Sequence, residues 1–147
     1  LSNGNINLAG GSDQLILQNG SNNLTATDVE TITGGGGADN VTFSGGVTGG
    51  SFSLGAGTGD KLTLGGASTL TLDGTIETVV GSAGVDTITV STSISAGSYD
   101  LGAGSHEVGG RGVIGVWWEA ARPRTLPPGS IGPHCRRQAT SKGAVHK

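Results

Sequence analysis

Apolar and polar positions alternate in short bursts along the first two thirds of the chain. Each burst follows an aspartate. Val41 and Phe43 oppose Asn40 and Thr42; Leu62 and Leu64 oppose Lys61 and Thr63; Ile88 and Val90 oppose Thr87 and Thr89. A period of two in β-branched and aliphatic residues predicts strands half-buried on one face. No stretch of residues 1–105 shows a helical period. Glycine clusters, Asn19-Gly20 and Leu72-Asp73-Gly74 supply the turns between the bursts.

The bursts belong to a repeat. Residues 28–43, DVETITGGGGADNVTF, match residues 75–90, TIETVVGSAGVDTITV, at an offset of 47 that aligns Glu30 with Glu77, Gly34 with Gly81, Gly37 with Gly84 and Asp39 with Asp86. The same offset aligns Asp13 with Asp60, Phe52 with Tyr99, and Leu54 with Leu101. Two copies therefore run from about 8 to 54 and from 55 to 101, and a third begins at 102. Within each copy, Asp13, Asp39, Asp60 and Asp86 are spaced by 26, 21 and 26 residues, which reads as two structural turns per 47 residues. Short strands separated by glycine turns at that spacing predict an all-β, right-handed parallel β-solenoid, of the β-roll or β-helix kind. An antiparallel sandwich is the alternative, but it does not require one fixed offset.

Composition sets the thickness of the core. The 147 residues include 30 Gly and no Met, with 33% apolar and 3% aromatic residues, so large side chains are too few for a thick core. A thin core shared by stacked coils is the expected solution. Charge divides the chain: residues 1–105 carry nine acids against Lys61 alone, a net −8, whereas residues 106–147 carry seven bases against Glu107 and Glu119, a net +5. A region at −8 argues against nucleic acid as a partner. No apolar run is long enough for a membrane span, and nothing at the start resembles a signal peptide. The expectation is a fragment of something longer.

The glycine–aspartate turns carry the candidate chemistry. Residues 34–42, GGGGADNVT, fill every specified place of the nonapeptide G-G-x-G-x-D-x-U-x with Gly34, Gly35, Gly37, Asp39 and Val41. Residues 81–89 supply Gly81, Gly84, Asp86 and Ile88; residues 55–63 keep Gly55, Asp60 and Leu62; residues 8–16 keep Gly11, Asp13 and Leu15. On these motifs, residues 8–105 resemble the repeats-in-toxin (RTX, hemolysin-type) group of calcium-binding secreted bacterial proteins. They resemble more closely the Thr/Gly-rich β-strand repeats of large bacterial surface proteins and adhesins. The resemblance implies an extracellular or cell-surface location, export in an unfolded state, and calcium in place of disulfides, in keeping with the absence of Cys from residues 1–105. It departs from that group in one respect: the motifs stand singly rather than in tandem.

The chemistry is intelligible from the residues. Calcium takes six to eight oxygens, including backbone carbonyls. Glycines at positive φ turn those carbonyls inward, and the aspartate adds charge. Aspartates stacked about 5 Å apart repel by roughly 3 kcal/mol at an effective dielectric near 20, which a divalent cation reverses. Metal binding then contributes to folding. The competing reading is that Gly-rich turns ending in Asp reverse the chain through Asx turns. Either role suits Asp39 and Asp86, whereas for Asp13 and Asp60 the turn role is favoured. Glu30 and Glu77 read as solvated ladder residues, and Asp28, Asp73 and Asp100 as surface.

Enzymatic readings are weaker. A polysaccharide-active β-helix needs a groove in which paired acids break the repeat, whereas these acids follow it. Thr69-x-Thr71 and Thr87-x-Thr89 suggest an ice-binding array, but the pairs do not recur strictly from copy to copy, and a Thr ladder on an exposed sheet is the simpler reading. The expectation is a non-enzymatic structural module of a secreted or surface-attached protein. It either binds calcium in its Gly–Asp turns or serves as a metal-independent adhesin stalk. Its partners are calcium ions, with cell-surface or polysaccharide ligands belonging to the parent protein.

Residues 106–147 read differently. All four Pro, all three His, both Trp and the one Cys lie here, together with the basic residues. The mixture matches a GC-rich gene read in a shifted frame, and a frameshift or misassigned end near Ser105 is expected. His134, Cys135 and His146 lack zinc spacing. Trp117 and Trp118 would cap a solenoid or stay exposed, and a disordered tail is expected from about 111 onward.

Overall fold

A computed structural model describes residues 1–94 and 97–110. All twelve elements among them are strands: β1 (Gly4–Asn7), β2 (Gln14–Ile16), β3 (Asn22–Thr27), β4 (Thr31–Thr33), β5 (Asp39–Phe43), β6 (Thr48–Ser53), β7 (Lys61–Thr63), β8 (Thr69–Leu72), β9 (Thr78–Val80), β10 (Thr87–Val90), β11 (Ser98–Asp100) and β12 (Glu107–Gly110). Odd-numbered strands form one six-stranded sheet in chain order, and even-numbered strands form a second. Every pairing is parallel. The chain thus places one strand in each sheet per coil. This is the expected all-β parallel solenoid, with about five turns.

The register sets the coil length. Leu24, Val41, Leu62, Val79 and Tyr99 stack in one column of the first sheet, at steps of 17, 21, 17 and 20 residues. Leu15, Ile32, Phe52, Leu72 and Val90 do the same in the second sheet, at steps of 17, 20, 20 and 18. Coils are therefore shorter than the 21–26 residues expected from the aspartate spacing. The offset of 47 spans about two and a half coils, so it superimposes one sheet on the other: Asp39 opens β5 in the first sheet, whereas Asp86 precedes β10 in the second. The reason is local. Both halves of a coil use the same order of turn, polar residue and alternating strand, so a half-coil shift still matches like with like.

The core is thin, as composition requires. Leu24, Val41, Leu62 and Val79 face Ile32, Phe52, Leu72 and Ile88 between the sheets, all nearly inaccessible. Phe43 packs on Phe52 with ring centroids 5.0 Å apart and planes tilted by 41°. Tyr99 is buried at one end, its hydroxyl donating to the Ile76 carbonyl at 3.3 Å. Burial, then the nearby charges of Asp73 and Glu77, push its pKa up to about 12. The solenoid also runs further than the break expected at Ser105. Glu107 to Val90's neighbour Gly110 form β12, in register with β10. The expectations for Trp117, Trp118, His134, Cys135, His146 and the tail from 111 fall outside the described residues.

Candidate functional site

Most half-coils carry a polar side chain just ahead of, or opening, their strand; Val47, ahead of β6, and Gly97, ahead of β11, are the exceptions. The register puts these residues in two columns, one along each sheet. In both columns the side chain accepts a hydrogen bond from the backbone N–H of the equivalent residue one coil earlier. Beside the first sheet, Asp39 Oδ1 accepts from Asn22 N at 3.0 Å, Asp60 Oδ1 from Asp39 N at 2.7 Å, and Glu77 Oε2 from Asp60 N at 2.8 Å. Beside the second, Glu30 Oε2 accepts from Asp13 N at 2.9 Å, Ser68 Oγ from Val47 N at 3.2 Å, Asp86 Oδ1 from Ser68 N at 3.0 Å, and His106 Nδ1 from Asp86 N at 3.2 Å. Every rung runs in the same direction, from a later side chain to an earlier amide.

The ladder assigns the acids. Asp39, Asp60 and Asp86 are fully buried, a position a carboxylate holds only with partners. Asp39 is the best satisfied. Its Oδ1 also accepts from Asn22 Nδ2 at 2.8 Å, and its Oδ2 from Gly35 N at 3.4 Å. Asp86 repeats this arrangement, with Ser82 N at 3.3 Å from Oδ2. Glu30 and Glu77, read from sequence as solvated, are rungs instead; Glu77 Oε2 takes the Gly59 amide as well, at 3.1 Å. Asp73 and Asp100 make short-range turns, accepting from Thr75 N and Gly102 N at 3.1 Å.

Sequence reasoning missed Asn22, Ser68 and His106 as members of the same columns. The signal was present. Each sits one residue before a strand or opens one, one coil away from an acid. Because the motif was read as glycine plus aspartate, residues with other side chains were passed over.

The glycines serve a different purpose from the one expected. Gly34, Gly35, Gly37, Gly81 and Gly84 do not adopt positive φ, which among the described glycines belongs to Gly20, Gly49, Gly55, Gly59, Gly102 and Gly110. They are needed for close approach. A Cβ on Gly37 would collide with the backbone of Gly20 and Ser21 one coil earlier, and one on Gly34 with Leu54 one coil later. Gly84 is pressed in the same way on Ala67, and Gly81 on Leu101. Turns stacked this tightly leave no room for a side chain.

Calcium can be tested against these residues. The four aspartates do not converge: Asp39 and Asp60 occupy adjacent coils beside one sheet, while Asp13 and Asp86 lie beside the other, at β2 and β10. Among the described residues no three His, Cys, Asp or Glu side chains gather around a common point. At the complete nonapeptide the carboxylate of Asp39 is already occupied by three N–H donors. An ion seeking six to eight oxygens would have to displace them. At Asp39 the donor set fits amide capping.

Asp60 is the strained member of the ladder. Its Oδ2 is buried without a partner. Burial, with the charges of Glu77, Asp39 and Asp73, raises its pKa although the Asp39 amide opposes the shift. The folded state therefore holds this proton more tightly than the unfolded chain. The stabilisation is complete below the ordinary aspartate range near 3.9 and is lost as pH rises through the raised value. Asp60→Asn keeps an acceptor for Asp39 N and removes the charge. At neutral pH it is expected to stabilise by about 1 kcal/mol, and to flatten the mildly acidic limb of a plot of Tm against pH. Thermal melts of both proteins between pH 4 and pH 8 check this.

The outward face of the second sheet carries a discontinuous hydroxyl ladder. Thr69 sits beside Thr87 and Thr71 beside Thr89, and Thr31 and Thr33 sit beside Ser51 and Ser53. The Thr pair repeats only between β8 and β10: β6 offers Ser51 and Ser53 beside Thr31 and Thr33, a bulge between Thr48 and Gly50 shifts the register, and β12 sets Glu107 and Gly109 beside Thr87 and Thr89, so the pairs do not recur strictly, as expected.

Comparison with protein-family models, with curated proteins and with solved structures returns no match for this chain.

Proposed function

We propose that the chain is a non-enzymatic solenoid stalk, a stiff spacer in a secreted or surface-attached bacterial protein, and that it locks coil to coil without metal. The observation that carries this reading is the one-directional ladder of side-chain acceptors on earlier amides, in which Asp39, Asp60 and Asp86 each commit Oδ1 to the backbone. A stalk needs length and stiffness. Each added coil extends the molecule by about 4.8 Å. The extracellular setting rests on the likeness of the Gly–Asp phrases to adhesin repeats. Any cell-surface or polysaccharide ligand belongs, on this reading, to the parent protein.

Calcium binding is the second reading, and one observation favours it: Asp13 Oδ2 and Asp60 Oδ2 are both buried without a partner. Thermal melts followed by circular dichroism, with excess calcium and with chelator, separate the two. The stalk reading expects the same β signal and the same Tm in both. A Tm raised by calcium in proportion to its concentration, as linkage requires of a ligand of the folded state, would replace it with the calcium module.

A further inference from the structure

The tripeptide Asn-x-Ser/Thr, with x other than Pro, is the acceptor signature for a sugar on an asparagine side chain, and it is used where the chain is exposed. Three of the seven Asn stand in it: Asn19-Gly20-Ser21, Asn23-Leu24-Thr25 and Asn40-Val41-Thr42. In a chain this rich in Ser and Thr the tripeptide arises readily by chance, so the setting of each Asn decides its use.

Two of the three lie within the first sheet. Asn23 in β3 and Asn40 in β5 are register partners. Asn40 Nδ2 donates to Asn23 Oδ1 at 3.1 Å, and Asn23 Nδ2 donates to Asn3 Oδ1 at 2.7 Å, so the amides form a ladder along the outward face. Asn40 Oδ1 is buried. β3 is paired on both sides, with β1 and β5, and β5 with β3 and β7. A transferase must draw the acceptor segment into its own cleft. A strand held on both sides does not lift out without breaking its pairing.

Asn19 stands apart. It lies in the bend joining β2 to β3, between the buried anchors Leu17 and Asn22. Gln18, Asn19, Gly20 and Ser21 are all exposed. Gly20, the middle residue of the tripeptide, has a φ of +108°, a conformation that favours glycine and turns the chain outward. Asn22 Nδ2 donates to the Gln18 carbonyl at 3.0 Å and to the Gly20 carbonyl at 2.9 Å. The backbone is thus pinned on either side of Asn19, whose own side-chain amide stays uncommitted among the described residues. The next coil leaves it uncovered. A Cβ on Gly35 would lie 2.9 Å from Asn19 Oδ1, and Gly36 beside it is bare as well. Two glycines of the Gly34–Gly37 run therefore keep the ground around Asn19 clear.

We propose that Asn19 is a glycosylation site, taking one hexose from a nucleotide-activated sugar, and that Asn23 and Asn40 are not. In the step, Nδ2 bonds to the anomeric carbon of the sugar. The bond from that carbon to the nucleotide diphosphate breaks, and the diphosphate leaves with the electron pair. The amide gives up one proton to a base of the transferase, and nothing is oxidised or reduced. The product is a neutral, hydrated group on a turn, outside both sheets. The assignment rests on the secreted or surface-attached setting proposed above, and not on how the coils are locked.

Two measurements test it. The folded full chain is incubated with UDP-glucose and an N-glycosyltransferase that reads this tripeptide, alongside Asn19→Gln and Ser21→Ala, and the products are mapped by fragment mass spectrometry. One hexose is expected, on Asn19, and neither variant gains it while each keeps its β signal in circular dichroism. Hexose on Asn23 or Asn40 of the folded chain, on either variant, or nowhere overturns the assignment. The chain recovered from the surface of the cells that make it is mapped in the same way, with hexose at Asn19 the expected result. A surface chain bare at Asn19 overturns the assignment and leaves the stalk reading standing. A chain held wholly inside the cell overturns the setting on which both rest.

Discussion

Gly37→Ala is expected to destabilise the solenoid by about 3 kcal/mol or more, a fall in Tm of roughly 15 °C for a domain of this size. The new methyl group would meet the backbone of Gly20, and Ser21 N at 2.6 Å, in the preceding coil. Backbone cannot rotate aside as a side chain can. The coils must separate locally, which breaks the neighbouring pairing of β3 with β5 and opens the rung from Asn22 to Asp39. Gly10 and Gly45 provide the control: nothing lies within 4 Å of a Cβ at either position, and neither has positive φ. Alanine there is expected to be neutral or to stabilise by about 0.5 kcal/mol through the unfolded chain. Thermal and urea melts of the three variants check the contrast. Equal losses at all three positions would remove close approach as the reason for the glycines.

Asp39→Ala is the second large effect. It strips the acceptor from Asn22 N and from Gly35 N, while Asn22 Nδ2 loses one of three acceptors and keeps the Gln18 and Gly20 carbonyls. Asn22 is buried, so its backbone N–H cannot turn to water instead. An unpartnered buried donor costs about 1–3 kcal/mol, and the total for this site is expected near 3 kcal/mol. Asp39→Asn keeps one acceptor oxygen but sets an NH₂ group among N–H donors, and is expected to lie between the two. The sign is opposite to that at Asp60, one coil away, where the charge is poorly satisfied and its removal helps. A metal site shared between these two aspartates would give losses at both positions in calcium. Urea melts of Asp39→Ala, Asp39→Asn and Asp60→Asn side by side therefore separate capping from ligation.

Much of the fold was legible because it is written in periodicity. Val41 and Phe43, or Ile88 and Val90, declare strands without help from the rest of the chain, and the copies at offset 47 declare a repeat. Coil length was not legible, because a match between Asp39 and Asp86 cannot tell a whole number of coils from a half. Only pairing decides that, and pairing is a long-range property. The site was legible in part. Asp39 and Asp86 stood out by their glycines, but those glycines answer to the backbone of neighbouring coils, which no local motif records. Asn22, Ser68 and His106 share the role of the aspartates through position rather than residue type. Glu30 and Glu77 looked solvated because the amides they reach lie 17 residues away.

The rung amides themselves provide the most direct test, read by hydrogen exchange in NMR with the full chain in chelator. Asn22, Asp39, Asp60 and Ser68 each direct the backbone N–H to a side chain of the next coil rather than to a strand carbonyl. If those side chains hold the coils together, the four amides exchange as slowly as the core-strand amides of Val41 and Leu62, opening only with global unfolding, and added calcium leaves their rates unchanged. Exchange at the rate of an open loop in chelator, slowed only when calcium is supplied, would contradict the account and return the aspartates to the metal.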